Sequence, residues 1–191
     1  MISFDTMRLF FALLSMACVV AVIGILGVAV VARFNSGAAG IRDSLFESLR
    51  GYELWMAFAL ALGATLGSLY LSEIVHLIPC RLCWFQRIFM YPLVIVLGVA
   101  AKRRDTTVGL PASLLAAIGL LVAGYHYLIQ QVPSLDSGAC DPTAPCSAAY
   151  IWQWNFLSIP FMAGSAFALI LTLLFVLRTN AGRMSKLEFA E

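Results

Sequence analysis

The chain reads as an all-α integral membrane protein with five transmembrane helices. Of its 191 residues, 62% are hydrophobic and only 12% are charged, more apolar surface than a soluble domain of this size can bury. Five apolar runs, at 9–32, 54–78, 84–101, 108–132 and 156–177, approach or exceed the about 20 residues that cross a hydrocarbon core as a helix. Lipid supplies no partner for backbone polar groups, so each run must satisfy its own and is a helix rather than an open strand.

The first run, 9–32, is too long for the apolar core of a signal peptide, and Asp5 offsets the positive charge of its flank. A retained helix is expected. Residues 35–53 follow as a linker, in which 43–49 has the pattern of a short amphipathic surface helix. The second run carries Glu73 and His76 near its end, three apart and so on one expected helix face, as a proton route or an interfacial polar pair. His126 and Tyr127 fall in the outer half of the fourth run, where placement in an aromatic belt accounts for them. The net charge is only +2 and there is no basic stripe with interleaved aromatics, so nothing points to nucleic acid.

Threading alternately through five helices puts Arg33, Arg42, Arg50, Lys102, Arg103, Arg104, Arg178, Arg183 and Lys186 on one side, 9 of the 12 Lys and Arg residues. Basic residues mark the cytoplasmic side. The N-terminus is therefore expected outside and the C-terminus inside. The junction at 79–83 and the loop at 133–155, which has no Lys or Arg, are both expected outside.

Two cysteine pairs share that outer side. Cys80 and Cys83 form a Cys-x-x-Cys between two apolar runs, a spacing that closes a reducible disulfide ring or grips a metal. Cys140 and Cys146 lie in an irregular loop with Pro133, Gly138, Pro142 and Pro145. Disulfides persist outside the cytoplasm, so a redox pair of pairs, two structural disulfides and a zinc site of four thiols are the readings. Trp84 rather than His follows Cys83, which disfavours covalent haem. Cys18, in mid-membrane, reads as a small packing residue.

Arg87 sits four residues beyond Cys83, one helical turn on and on the same face, with Tyr91 a further turn on. A cation just inside a membrane needs a role or a partner. It either snorkels to the headgroups or holds a thiolate and polarises an oxygen of a lipid-soluble acceptor. A dithiol reoxidised in a bilayer needs a membrane-soluble electron sink, and quinones are the obvious class.

The string Pro-Cys-Arg-Leu-Cys-Trp-Phe-Gln-Arg-Ile-Phe-Met-Tyr-Pro-Leu at 79–93, with Cys140, Pro145-Cys146 and Asn155-Phe156-Leu157-Ser158-Ile159-Pro160-Phe161 further on, resembles the DsbB/BdbC disulfide bond formation proteins. The five-residue separation of the second pair is closer to the short-loop BdbC branch. The resemblance covers 54–178 and implies a four-helix transmembrane bundle with an external loop at 133–155. It leaves 1–34 as an extra N-terminal transmembrane helix, 35–53 as a cytoplasmic linker and 179–191 as a cytoplasmic tail.

By the same resemblance, the protein is a thiol oxidase of the bacterial cytoplasmic membrane. It would draw electrons from a DsbA-like or BdbD-like thioredoxin-fold oxidase and pass them to a quinone, either ubiquinone or menaquinone. Cys140 would form the mixed disulfide with that partner. Cys146 would attack the Cys80–Cys83 disulfide at Cys80, and Cys83 would face the quinone with Arg87 beside it. Trp152 and Trp154 are expected to anchor the returning chain at the interface. Three rivals stand beside this reading: a vitamin K epoxide reductase-like enzyme, a conduit for reductant across the membrane, and a scaffold with structural disulfides.

Overall fold

The computed structural model describes residues 4–136, 140–141 and 143–188. Among them are six α-helices and no strand: α1 (Phe4–Val31), α2 (Ser36–Leu49), α3 (Glu53–Leu69), α4 (Arg81–Arg103), α5 (Gly109–Gln131) and α6 (Ile159–Glu188). All but α2 are long and apolar enough to cross a membrane. The apolar runs of the sequence thus become helices, and polar residues between them start the short connecting elements. Asn35 accepts from the Gly37 amide at 2.8 Å to start α2, and Asp105 caps the 3-10 turn Thr106–Val108 that leads into α5.

Helices α3, α4, α5 and α6 form a closed ring in which each packs on the next and α6 returns to α3. Helix α6 is the most buried of the five long helices, and its Phe167, Ile170, Leu173 and Leu174 fill the centre of the bundle. The Phe167 ring lies over Gly119 of α5, where a side chain would collide with it. Helix α1 stands outside the ring against α6. The two are joined by a buried hydrogen bond of 2.9 Å between the hydroxyls of Ser15 and Ser165, the kind of polar contact that links helices in lipid.

Two local structures differ from the sequence expectation. The second membrane helix does not run regularly to residue 78. After Leu69 it widens into a π-helical turn, Tyr70–Ile74, and then breaks. His76 has left-handed backbone, φ 59°, so it lies beyond the helix and does not share a helical face with Glu73. The second difference is in α2, which is longer than the expected 43–49 and is not a helix lying loosely on the surface. Its Phe46 is fully buried against Ile25 and Val176.

Helix α2 also closes a polar network at the basic end of the bundle. Glu53 is 2% exposed. One carboxylate oxygen accepts from the Gly51 amide at 2.7 Å, the other from the Asn180 amide at 2.8 Å. Gly51 reaches this position with φ 84°, which suits glycine. Asn180 also donates to the Phe46 carbonyl at 2.9 Å, and Asp43 pairs with both Arg183 and Arg42. The Arg183 and Arg42 guanidiniums hold the Asp43 carboxyl below its ordinary range.

Replacing Asn180 by Ala would leave the Glu53 carboxylate buried and short of a donor, costing about 1–3 kcal/mol. Thermal unfolding in detergent should show a clear drop in Tm for Asn180→Ala, and an unchanged Tm would mean that water takes over the lost bonds.

Candidate active site

Cys80 is the N-cap of α4, with φ −70° and ψ 171°. Its extended backbone follows Pro79, and its sulfur takes the place usually held by a capping oxygen, accepting from the Cys83 amide at 3.3 Å. Cys83 is the third residue of the helix, so the first turn brings its thiol back over Cys80, with 2.8 Å between the sulfurs. Both are free thiols, whereas Cys140 and Cys146 are joined by a disulfide with 5.8 Å between their Cα atoms.

The four sulfurs belong to one buried cluster. Cys80 and Cys146 pack with Ile129 and Ala144, and Cys83, Cys140 and Leu82 border them. Cys146 is 0% exposed, whereas Cys140 is half-buried. Loop and bundle are held in register by His126 of α5. Its Nε2 lies 3.2 Å from the Cys146 carbonyl and 3.6 Å from the Cys80 sulfur. Its Nδ1 lies 3.1 Å from the Gln86 side-chain nitrogen. A tautomer with the proton on Nε2 satisfies all three, donating to the carbonyl and the sulfur and accepting from Gln86.

This corrects the assignment of His126 to an aromatic belt: the side chain is 2% exposed and faces the cysteine cluster. Gln86, a polar side chain within an apolar helix, was the available signal in the sequence. Tyr127 does lie near the surface, and its hydroxyl donates to the Phe156 carbonyl at 3.0 Å.

Arg87 is not a snorkelling cation, being 8% exposed. Its Nε donates to the Ser68 hydroxyl at 2.9 Å and one terminal nitrogen to the Ser68 carbonyl at 3.0 Å, while the guanidinium stacks over Trp84 at 5.0 Å. Ser68 lies just before the π turn, a type of irregularity common at functional sites. Arg87, Tyr91 and Cys83 line one cavity of about 490 Å³, walled mostly by apolar side chains of α1, α3, α4 and α6. The Tyr91 hydroxyl is buried there with no hydrogen-bond partner.

The helix start and its neighbours alter the chemistry of Cys80. Its pKa falls from 9.0 to about 4, first through the hydrogen bond from the Cys83 thiol and then through His126, against the opposing effect of burial. The thiolate stabilises the reduced folded pair in full above about pH 9. That contribution shrinks as pH falls and is gone below about 4. A dithiol stabilised in this way makes its disulfide a stronger oxidant. The two sulfurs and a His126 nitrogen also lie within 4.8 Å of one another, a three-ligand set of a type that suits zinc.

The model of the disulfide bond formation protein DsbB matches residues 52–177. The chain belongs to the DsbB family. It is 46% identical over 132 residues to a probable disulfide formation protein of Oceanobacillus iheyensis, covering 68% of this chain and 89% of that protein. It is 45% identical over 126 residues to disulfide bond formation protein C of Bacillus subtilis, covering 65% and 91%. A probable disulfide formation protein of Coxiella burnetii is 42% identical over 120 residues, covering 62% and 82%. No solved structure matches. This DsbB-family chain is therefore a multi-pass membrane protein of disulfide formation, and α1 and α2 lie outside the matched residues.

In protein with Cys18, Cys140 and Cys146 replaced by Ser, alkylation of reduced Cys80 by iodoacetamide should follow a thiolate that persists well below pH 7. His126→Ala should move the midpoint of the pH profile upward, and a rise of about one pH unit would slow alkylation about tenfold at acidic pH. A midpoint of about 8.5 in the parent protein, that of an unperturbed thiol, would refute the low pKa.

Proposed function

We propose that this DsbB-family chain is a quinone-coupled thiol oxidase that reoxidises a thioredoxin-fold dithiol oxidase of the DsbA or BdbD kind. Its place would be the bacterial cytoplasmic membrane, with the four cysteines on the outer face. The observation that carries this is the union of both cysteine pairs in one cluster, with Cys83 opening onto an apolar cavity that also holds Arg87. The distribution of basic residues supports the orientation.

Exposure supports an order of events. A partner thiolate can reach half-buried Cys140 but not Cys146. Its attack on the Cys140 sulfur forms a mixed disulfide and releases Cys146 as a thiolate. Cys146 then attacks Cys80, breaking the Cys80–Cys83 bond and releasing Cys83. The partner's second thiolate displaces Cys140, and Cys140 in turn displaces Cys80 from Cys146. The net result is that the partner loses two electrons and two protons and the Cys80–Cys83 pair gains them.

A quinone fits the remaining site. The cavity is of ligand size, its apolar walls suit a ring and prenyl tail, and Arg87 and the unpartnered Tyr91 hydroxyl suit a carbonyl oxygen. A quinone bound there supplies the sink for two electrons and two protons. Ser68 and Trp84 keep Arg87 in place. His126 would orient Cys80 for the exchange with Cys146, and α4 presents Cys83 to the cavity.

With a reduced DsbA-like partner and a short-chain quinone, Cys83→Ser should abolish steady-state thiol oxidation. Arg87→Gln should raise the KM for quinone about tenfold. An unchanged rate in Cys83→Ser would sink the relay. In whole cells, a membrane-impermeant thiol reagent should label Cys140 after reduction. Labelling only in opened cells would overturn the orientation.

A further inference from the structure

The family match begins at residue 52, so α1 lies wholly outside it. Yet α1 is built into the cavity. Arg8, Phe11, Ser15 and Cys18 line it together with Cys83 and Arg87. From Arg8 to Cys18 a helix advances about 15 Å, so α1 borders the cavity over a length comparable to half the hydrocarbon core.

Its position there is fixed at two points. The buried Ser15–Ser165 bond ties it to α6 at 2.9 Å. On the α3 side, the Phe11 ring occupies the space next to Gly67, where a Cβ would come within 2.7 Å of it. Both contacts need α1 in this register and rotation. The opposite face of the helix, with Val20 and Ile23, is exposed as a lipid-facing surface should be.

The polar chemistry agrees. Arg8 is half-buried and one terminal nitrogen pairs with the exposed Asp5 at 3.1 Å. Its Nε is buried and has no hydrogen-bond partner. The Tyr91 hydroxyl of the same cavity is in the same condition. Two unpartnered donors among apolar walls are matched by a flat apolar molecule bearing acceptor oxygens.

We infer that α1 is a working wall of the electron-acceptor site: Arg8 is a second cationic donor to the acceptor's oxygens, and the Phe11–Cys18 face sets the shape of the space that its ring and tail enter. The inference rests on the quinone reading. It gives the extra helix a task in acceptor binding and selectivity, beyond anchoring the chain.

The test is direct binding of decylubiquinone and a short-chain menaquinone to the purified full chain in detergent, by calorimetry. Arg8→Gln should weaken binding about tenfold, and Arg8→Lys should recover part of it. Leu14→Trp, at a half-exposed position that also lines the cavity, should weaken the two quinones unequally. Val20→Trp, on the lipid face, should bind as wild type. If Arg87→Gln loses affinity while Arg8→Gln and Leu14→Trp bind like wild type, the role of α1 is overturned and the quinone site stands. If wild type binds neither quinone, the quinone reading fails and this inference fails with it.

Discussion

The Cys80 sulfur caps helix α4 and, in the same position, receives the Cys83 thiol at 2.8 Å and His126 at 3.6 Å. A capping oxygen would satisfy the helix start equally well. A sulfur does so while becoming a stabilised leaving group and nucleophile. Helix start, acidity and loop position are therefore not separable features. His126 reaches Cys80 only because α5 packs on α4, and it reaches the Cys146 carbonyl only because the loop folds down over both.

This arrangement divides the Cys-x-x-Cys between two surroundings. Cys80 packs with Cys146 and Ile129 under the loop, while Cys83, one turn into the helix, lines the membrane cavity. The two-residue spacing allows one disulfide to touch a protein thiol on one side and a lipid-soluble acceptor on the other. Arg87 belongs to the second side. Its bonds to Ser68 tie α4 to the last regular turn of α3, immediately before the π turn through which the chain breaks toward Pro79.

Much of this was legible in the residues because the strong signals are local. Apolar runs of membrane length leave no alternative to helices, and a Cys-x-x-Cys with an arginine one turn later carries its geometry in its spacing. What escaped depended on contacts between distant segments. Nothing near His126 in sequence announces that it lies against Cys80, 46 positions away, and its aromatic neighbour Tyr127 made a belt the simpler reading. Glu53 and Asn180 look like ordinary polar residues at helix ends until α6 brings them within 2.8 Å. The break before His76 was hidden because Leu71, Ile74, Val75, Leu77 and Ile78 prolong the apolar run past Leu69 around Ser72 and Glu73, and hydropathy does not distinguish an α turn from a π turn. Helix α1 could be found but not assigned, since its partner surfaces on α3 and α6 are fixed by packing.

The two ends of the bundle differ in how completely their polar groups are satisfied. At the basic end, Glu53, Gly51, Asn180 and the Phe46 carbonyl form a closed set of hydrogen bonds. At the cysteine end, the Tyr91 hydroxyl and the Arg8 Nε remain open in one cavity. An unpartnered buried donor costs about 1–3 kcal/mol, and acyl chains have no acceptor to relieve it. The fold tolerates that cost because α6 is packed along its length and the opposite end is closed. A molecule that brings acceptor oxygens into the cavity completes the network and stabilises the folded bundle by mass action. Incomplete satisfaction beside the two cysteine pairs is thus what the proposed acceptor would relieve, and the Arg8 Nε of α1 is one of the two open groups.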